Sequence, residues 1–219
     1  MVNGAEVLVF DMDGVLVDVR ESYREAVVRT VEHFTGKPVS KEAIQEYKNQ
    51  GGYNNDWILS QKICEDFGVQ VPYAVVVDKF NDYFLKQGLI HRERWLPKNG
   101  LIERLASQRE LAIFTGRTLE EAEITLKREG YWNRFLLVTA DDVVNEKPAP
   151  DGLLKIAALR VDKKLLYVGD TVDDARAAKA AGVPFIGICA LDSLRHDEIV
   201  ELLNAEGALA VLGDVNEIG

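Results

Sequence analysis

The stretch Val7-Leu-Val-Phe-Asp11-Met-Asp13-Gly-Val-Leu-Val-Asp18 decides how this chain is read. It begins as an apolar run with the length and composition of a buried β-strand, and Asp11 and Asp13 follow at its carboxyl end with a glycine behind them. A strand buried on both faces leaves such carboxylates without enough water to stabilise them, so the pair demands a compensating cation or proton. An isolated D-x-D pair is often a solvated turn; the strongly apolar run before this one favours a site.

Outward from that stretch the periodicity changes. Tyr23, Ala26, Val27, Thr30, Val31 and Phe34 recur at helical spacing until Gly36 and Pro38 stop the pattern. A second helix is predicted from Ser40 to Asn49, a third from Trp57 to Phe67 and a fourth from Pro72 to Leu85, although Val75-Val-Val77 is locally ambiguous. No strand is predicted between residues 19 and about 90. Beyond His91, apolar runs at Leu111–Phe114, Phe135–Val138, Leu165–Val168, Pro184–Ile188 and Ala208–Val211 alternate with helical segments. The helices are placed after a capping box at Thr118-Leu-Glu-Glu121, over Asp151–Leu159, over Ala175–Ala181 and over Ser193–Leu203. This rhythm implies an α/β fold with a Rossmann-like, doubly wound parallel sheet covered on both faces. Residues 1–18 and 91–219 are assigned to the core, and 19–90 to a helical insertion after the first strand.

The whole chain narrows the class of function. Its 219 residues are 47% hydrophobic and 28% charged, as in ordinary globular proteins. A net charge of −10 argues against a nucleic-acid or anionic-membrane partner, so an anionic substrate would have to be met by local positive charge. Cys64 and Cys189 lack metal-ligand spacing and fit a reducing cytoplasm as core residues. The segment Met1-Val-Asn-Gly-Ala-Glu6 lacks a basic n-region, and no apolar run approaches the roughly 20 residues of a membrane span, so neither export nor insertion is expected.

Ligands of doubly wound sheets bind at the carboxyl ends of strands, where this chain places Asp11 and Asp13, Thr115-Gly116-Arg117, Lys147, and Asp170 with Asp173 and Asp174. Each piece has an ordinary alternative. Thr115 could cap the following helix, Lys147 could be solvated, and Asp170 could cap the Ala-rich helix. Their common placement makes joint coincidence a weak explanation.

Phe10-Asp11-Met-Asp13-Gly14-Val-Leu-Val-Asp18, Ile113-Phe-Thr115-Gly, Lys147-Pro-Ala-Pro150 and Gly169-Asp170-Thr-Val-Asp173-Asp174 occur in this order across nearly the whole chain. In these segments the chain resembles the haloacid dehalogenase superfamily of aspartate-nucleophile phosphotransferases. The resemblance is to the branch with a helical cap after the first strand, which includes phosphoglycolate phosphatase and β-phosphoglucomutase. It implies Asp11 as nucleophile, Asp13 as general acid and base, and Lys147 as the cation beside the nucleophile and the phosphate. It also implies phosphate binding by Thr115 and Gly116, and Mg²⁺ held by Asp11, Asp170 and the carbonyl of Asp13, with Asp174 as a ligand or the partner of one.

The cap is expected to choose the substrate through the polar break Lys48–Asp56, with Lys48, Tyr53, Asn54, Asn55 and Asp56 as candidates, although Gly and Asn also suit a plain interhelical turn. Arg117 is a further candidate, expected to touch the phosphate or substrate at the core–cap boundary. Asp18 is expected at a hinge; His33, His91 and His196 receive no catalytic role, and Trp57, Trp95 and Trp132 are expected to pack. The function implied is a Mg²⁺-dependent phosphatase of a small phosphorylated metabolite. The alternatives are a sugar-phosphate mutase, a phosphonate hydrolase using Lys48 as Schiff base, and a non-catalytic phosphate-ligand sensor. A dehalogenase would need neither the metal nor Asp13 with its acidic partners. The sequence leaves the leaving group and the oligomeric state open.

Overall fold

The computed structural model describes residues 4–218, so Met1, Val2 and Asn3 of the N-terminal segment weighed for export lie outside the described residues. Strand β1 (Val7–Phe10) is buried throughout and is followed by β2 (Val17–Asp18). The chain then runs through α1 (Tyr23–Thr35), α2 (Lys41–Gln50), α3 (Asp56–Asp66) and α4 (Tyr73–Asn81). A π-helical turn (Asp82–Lys86) and a 3-10 turn (Leu89–Arg92) lead back to β3 (Arg94–Trp95). Alternation follows: α5 (Leu101–Ala106), β4 (Glu110–Phe114), α6 (Leu119–Arg128), β5 (Leu136–Val138), α7 (Asp151–Leu159), β6 (Leu165–Gly169), α8 (Val172–Ala181), β7 (Phe185–Ile188), α9 (His196–Ala205) and β8 (Val211–Leu212).

Six strands form one parallel sheet in the order β5-β4-β1-β6-β7-β8. The first strand therefore lies inside the sheet, with Phe10 opposite Ile113 on one side and Val168 on the other. Because successive side chains of a strand point to opposite faces, the sheet has two apolar layers. Leu8, Phe10, Ile113, Val168 and Ile186 pack with Leu101 and Leu105 of α5 and Leu126 of α6. Val7, Val9, Phe114, Tyr167 and Phe185 pack with Leu153 of α7, Ala178 of α8 and Leu203 of α9. Helices on both faces produce the continuous apolar strands read in the sequence.

The helical insertion has its own core, in which Tyr23, Val31, Ile44, Leu59, Ile63, Phe80 and Phe84 meet. It joins the sheet domain through the antiparallel ribbon of β2 and β3, where Val17 faces Trp95 and Asp18 faces Arg94. Asp18 accepts hydrogen bonds there from Arg20 N at 3.0 Å and from the Arg20 and Arg94 guanidinium groups, which hold its carboxyl below the usual range against the opposing effect of burial.

The departures from expectation are local. The ribbon strands and α5 are too short to show a period, and the expected fourth helix ends at Asn81 before changing to π geometry. Val75, Val76 and Val77 are helical. Thr171 rather than Asp170 caps α8, which consequently starts at Val172, while left-handed Arg195 delays α9 to His196. The last strand is Val211–Leu212. Among the described residues no helix is long and apolar enough to cross a membrane.

Leu59 is fully buried in the insertion core and Leu191 is 85% exposed. Leu59→Ala should cost about 2–5 kcal/mol of unfolding free energy in urea, whereas Leu191→Ala should change it by less than about 0.5 kcal/mol.

Candidate active site

The carboxyl edge of the sheet gathers Asp11 after β1, Lys147 in the segment between β5 and α7, and Asp174 in the first turn of α8. Backbone bonds fix two of these strand ends: Asp11 N donates to Val168 O at 2.8 Å, and Thr115 N to Val138 O at 3.0 Å. The buried Lys147 ammonium stands 2.8 Å from Asp11 Oδ1 and 2.7 Å from Asp174 Oδ1. It also lies 5.0 Å and 5.7 Å from the ring centres of Phe114 and Tyr167. A charge withdrawn from water needs such partners, and the aromatic faces add attraction. Burial opposes the charge on Lys147, but Asp11 and Asp174 outweigh it and raise the pKa of the ammonium.

Asp174 has both oxygens engaged. Tyr167 OH donates to Oδ1 at 2.6 Å beside Lys147, while Oδ2 accepts from Asp170 N, Thr171 N and Thr171 Oγ1 at 3.2, 3.0 and 2.7 Å. Burial works against ionisation, yet Lys147 and these donors hold Asp174 below its usual range. The neighbouring Asp173 instead accepts Gly52 N at 2.8 and 2.9 Å on its two oxygens, tying the insertion to the core.

Carboxylate oxygens of Asp11, Asp170 and Asp174 all lie within 4.8 Å of one another. Asp170 Oδ1 is buried and receives no hydrogen bond among the described residues. Burial pushes Asp11 up to about 7 despite Lys147, and Asp170 is raised by burial and by the charges of Asp174 and Asp11. Hard oxygen donors crowded against too little positive charge fit a divalent cation. Gly14 leaves room for the group: its φ is +74°, and a Cβ there would stand 2.0 Å from Asp170 Oδ2.

Asp13, Gly116 and Arg117 line the cavity beside residues of the insertion, whereas Thr115 does not line it. Thr115 is buried and its Oγ1 accepts Arg117 N at 3.2 Å, while Thr118 caps α6 through the expected box with Glu121. Arg117 was expected on the phosphate or substrate. The residue lines the cavity, but its polar contacts run to Asp13, Glu93 and Thr125, and its carbon Cζ lies 5.0 Å from the Tyr23 ring centre.

From the insertion, Lys48 Nζ stands 2.8 Å from Asp56 Oδ1 and donates to Asn54 O at 3.1 Å. Asn54 approaches so closely that a Cβ on Gly116 would lie 2.4 Å from its Nδ2. Asn55 caps α3 and reaches Glu146 across the interface.

With Asp11, Asp13, Asp170 and Gly116, the residues Lys48, Asn54, Asn55 and Asp56 line a cavity of about 60 Å³, when one water needs about 10–15 Å³. Tyr53 does not line it and packs edge-on against Tyr47, with ring centres 5.7 Å apart. Sequence reasoning missed Arg24, Tyr23 and Glu121 in the lining and Tyr167 and Glu93 behind it. Glu121 was legible only as part of a capping box, and Tyr23 only as an apolar position of a helix.

The model of haloacid dehalogenase-like hydrolases matches residues 8–188, spanning the strand ends just described. The chain belongs to this family. It is 32% identical over 200 residues to an imidazoleglycerol-phosphate dehydratase of Phytophthora nicotianae, covering 86% of this chain and 44% of that protein. The chain thus spans less than half of that relative's length. A phosphoglycolate phosphatase of Pseudomonas putida is 25% identical over 196 residues, covering 83% of this chain and 68% of that one. Among solved structures, one from Thermotoga maritima described as a candidate β-phosphoglucomutase superposes with a TM-score of 0.70 at 24% identity, covering 97% and 96% of the two chains. That likeness concerns the fold.

Burial, against the pull of Lys147, pushes the Asp11 carboxyl from the ordinary carboxylate range up to about 7. The metal-free folded state therefore binds more protons than the unfolded chain across this interval, and Asp11's contribution to stability should fall as pH rises through it. Mg²⁺ should restore stability most at the upper end of that range, read as the urea midpoint with and without the ion.

Proposed function

We propose that this protein is a Mg²⁺-dependent phosphatase that hydrolyses a small phosphorylated metabolite through an aspartyl-phosphate on Asp11. Membership of a hydrolase family with phosphatase-named relatives supports the reaction class. The observation that carries the mechanism is the buried Asp11–Lys147–Asp174 assembly, with Asp13 bordering the same cavity as Asp11.

An Asp11 oxygen attacks phosphorus while the bond to the leaving oxygen breaks, giving an aspartyl-phosphate and an alcohol. Asp13 gives its proton to the leaving oxygen and then takes one from the water that attacks the phosphoryl group. Lys147 supplies fixed positive charge beside the nucleophile, and Thr115 Oγ1–H with Gly116 N–H serve as donors to phosphate oxygens. Asp11, Asp170 and the Asp13 carbonyl would hold Mg²⁺, with Asp174 as a ligand or the partner that orients one. The bound ion would supply the charge that lets a dianionic phosphate approach a carboxylate.

The helical insertion, residues 19–90, is read as a cap over this chemistry. Lys48, Asn54, Asn55 and Asp56 are its candidate contacts with the leaving group. Tyr53 remains a sequence candidate whose position suits support of this loop. Two buried free thiols, Cys64 and Cys189, support a cytoplasmic setting.

Asp11→Asn should lower turnover by on the order of 10⁴-fold or more while leaving the circular dichroism spectrum intact. Full Mg²⁺-dependent activity in that variant would overturn the mechanism. Phosphate release should be measured with 2-phosphoglycolate, imidazoleglycerol phosphate, phosphoserine and hexose phosphates. Isomerisation of a sugar phosphate without net phosphate release would identify a mutase instead.

A further inference from the structure

We propose that Arg117 is the positioning residue for Asp13, and that Glu93 and Thr125 hold Arg117 in place for this task. The proposal rests on the reading of Asp13 as acid and base. Arg117 Nε and Nη2 both donate to one oxygen, Asp13 Oδ1, at 2.9 and 2.5 Å. Asp13 Oδ2 accepts no hydrogen bond among the described residues, and the side chain remains 31% accessible. The geometry thus immobilises one carboxylate oxygen and leaves the other available to exchange a proton in the cavity that Asp13 lines.

The clamp itself is anchored on its remaining edges. Arg117 Nη2 also meets Glu93 Oε1 at 2.8 Å, and Nη1 donates to Thr125 Oγ1 at 2.8 Å. Thr125 passes its own hydrogen to Glu93 Oε2 at 2.7 Å, and Arg128 Nη2 reaches the same oxygen at 3.2 Å. The side chains of Arg117 and Glu93 are both wholly inaccessible. Such burial is tolerable only because the charges meet one another.

A planar guanidinium can serve Asp13, Glu93 and Thr125 together, whereas a lysine ammonium lacks that fork. The same commitments argue against a substrate-binding arginine, because most of its donors already have protein acceptors. Glu93 immediately precedes β3, where the chain returns from the insertion, so the anchor also lies at the junction of the two parts of the fold.

The test compares an alkyl phosphate with p-nitrophenyl phosphate, whose phenolate leaves without needing a proton, in Asp13→Asn, Arg117→Lys and Glu93→Gln. If Asp13 is the acid, Asp13→Asn should lose about 10²-fold or more in kcat on the alkyl ester while retaining the first-turnover burst of p-nitrophenolate. Arg117→Lys and Glu93→Gln should show the same leaving-group dependence at about tenfold or greater loss, with KM changed less than about twofold. Added guanidinium should recover part of the alkyl-phosphate rate in Arg117→Ala.

A rise in KM for both substrates at unchanged kcat would overturn the proposal in favour of direct substrate binding by Arg117. Equal loss of burst and alkyl turnover in Glu93→Gln would overturn it in favour of a general structural role. If Asp13→Asn itself shows no leaving-group dependence, the acid–base reading falls, and the proposal with it.

Discussion

The ammonium of Lys147, held between Asp11 and Asp174 at 2.8 and 2.7 Å, is the contact on which the carboxyl edge of the sheet depends. Without it, Asp11 and Asp174 would lose the one ammonium that both contact. The chain order achieves this pairing through the sheet topology. β1 lies between β4 and β6, so Asp11 emerges beside Thr115 and Asp170, while the segment after β5 carries Lys147 back beneath them. Phe114 and Tyr167, from the adjoining strands, give the lysine an aromatic floor. Lys147 offsets only part of the local negative charge: Asp11, Asp13, Asp56, Glu121 and Asp170 line the cavity against Arg24, Lys48 and Arg117, and this excess is what a bound divalent cation would meet in the proposed reading.

The insertion is fastened at its inner end as well as at the β2–β3 ribbon. Asp173 receives Gly52 N, Glu146 receives Asn55, and Glu46 of α2 pairs with Arg195. These contacts bring Asn54 over Gly116 and enclose the small cavity with Lys48 and Asp56 on its insertion side. The arrangement couples two otherwise separate apolar cores through polar contacts, which can be exchanged with water more readily than either core can be opened.

Much of the core was legible because local chemistry and long-range order agreed. Apolar runs at Val7–Phe10 and Leu165–Val168 read as buried strands, and Thr118 with Glu121 signalled a helix start that the structure contains. The outcome was different where residue type left several partners open. Arg117 has the chemistry of an anion binder, but the sequence cannot reveal that Asp13 and Glu93, the latter 24 positions away, receive its donors. Asp173 and Asp174 are indistinguishable as acids, yet their positions in α8 send one to the insertion and the other to Lys147. Tyr53 belongs to the expected loop but packs against Tyr47, a distinction set by side-chain direction rather than spacing. Tyr167 read as strand filler because its hydroxyl partner becomes visible only when α8 packs beside β6.

The most direct measurement is an acid-quenched first turnover in Mg²⁺, followed by peptide mass spectrometry of the segment containing Asp11. The expected result is a transient gain of one phosphoryl mass on that peptide, localised to Asp11, appearing with the alcohol and decaying as inorganic phosphate is released. Release of alcohol and phosphate together with no phosphorylated peptide, under conditions that preserve an acyl phosphate standard, would contradict nucleophilic catalysis by Asp11.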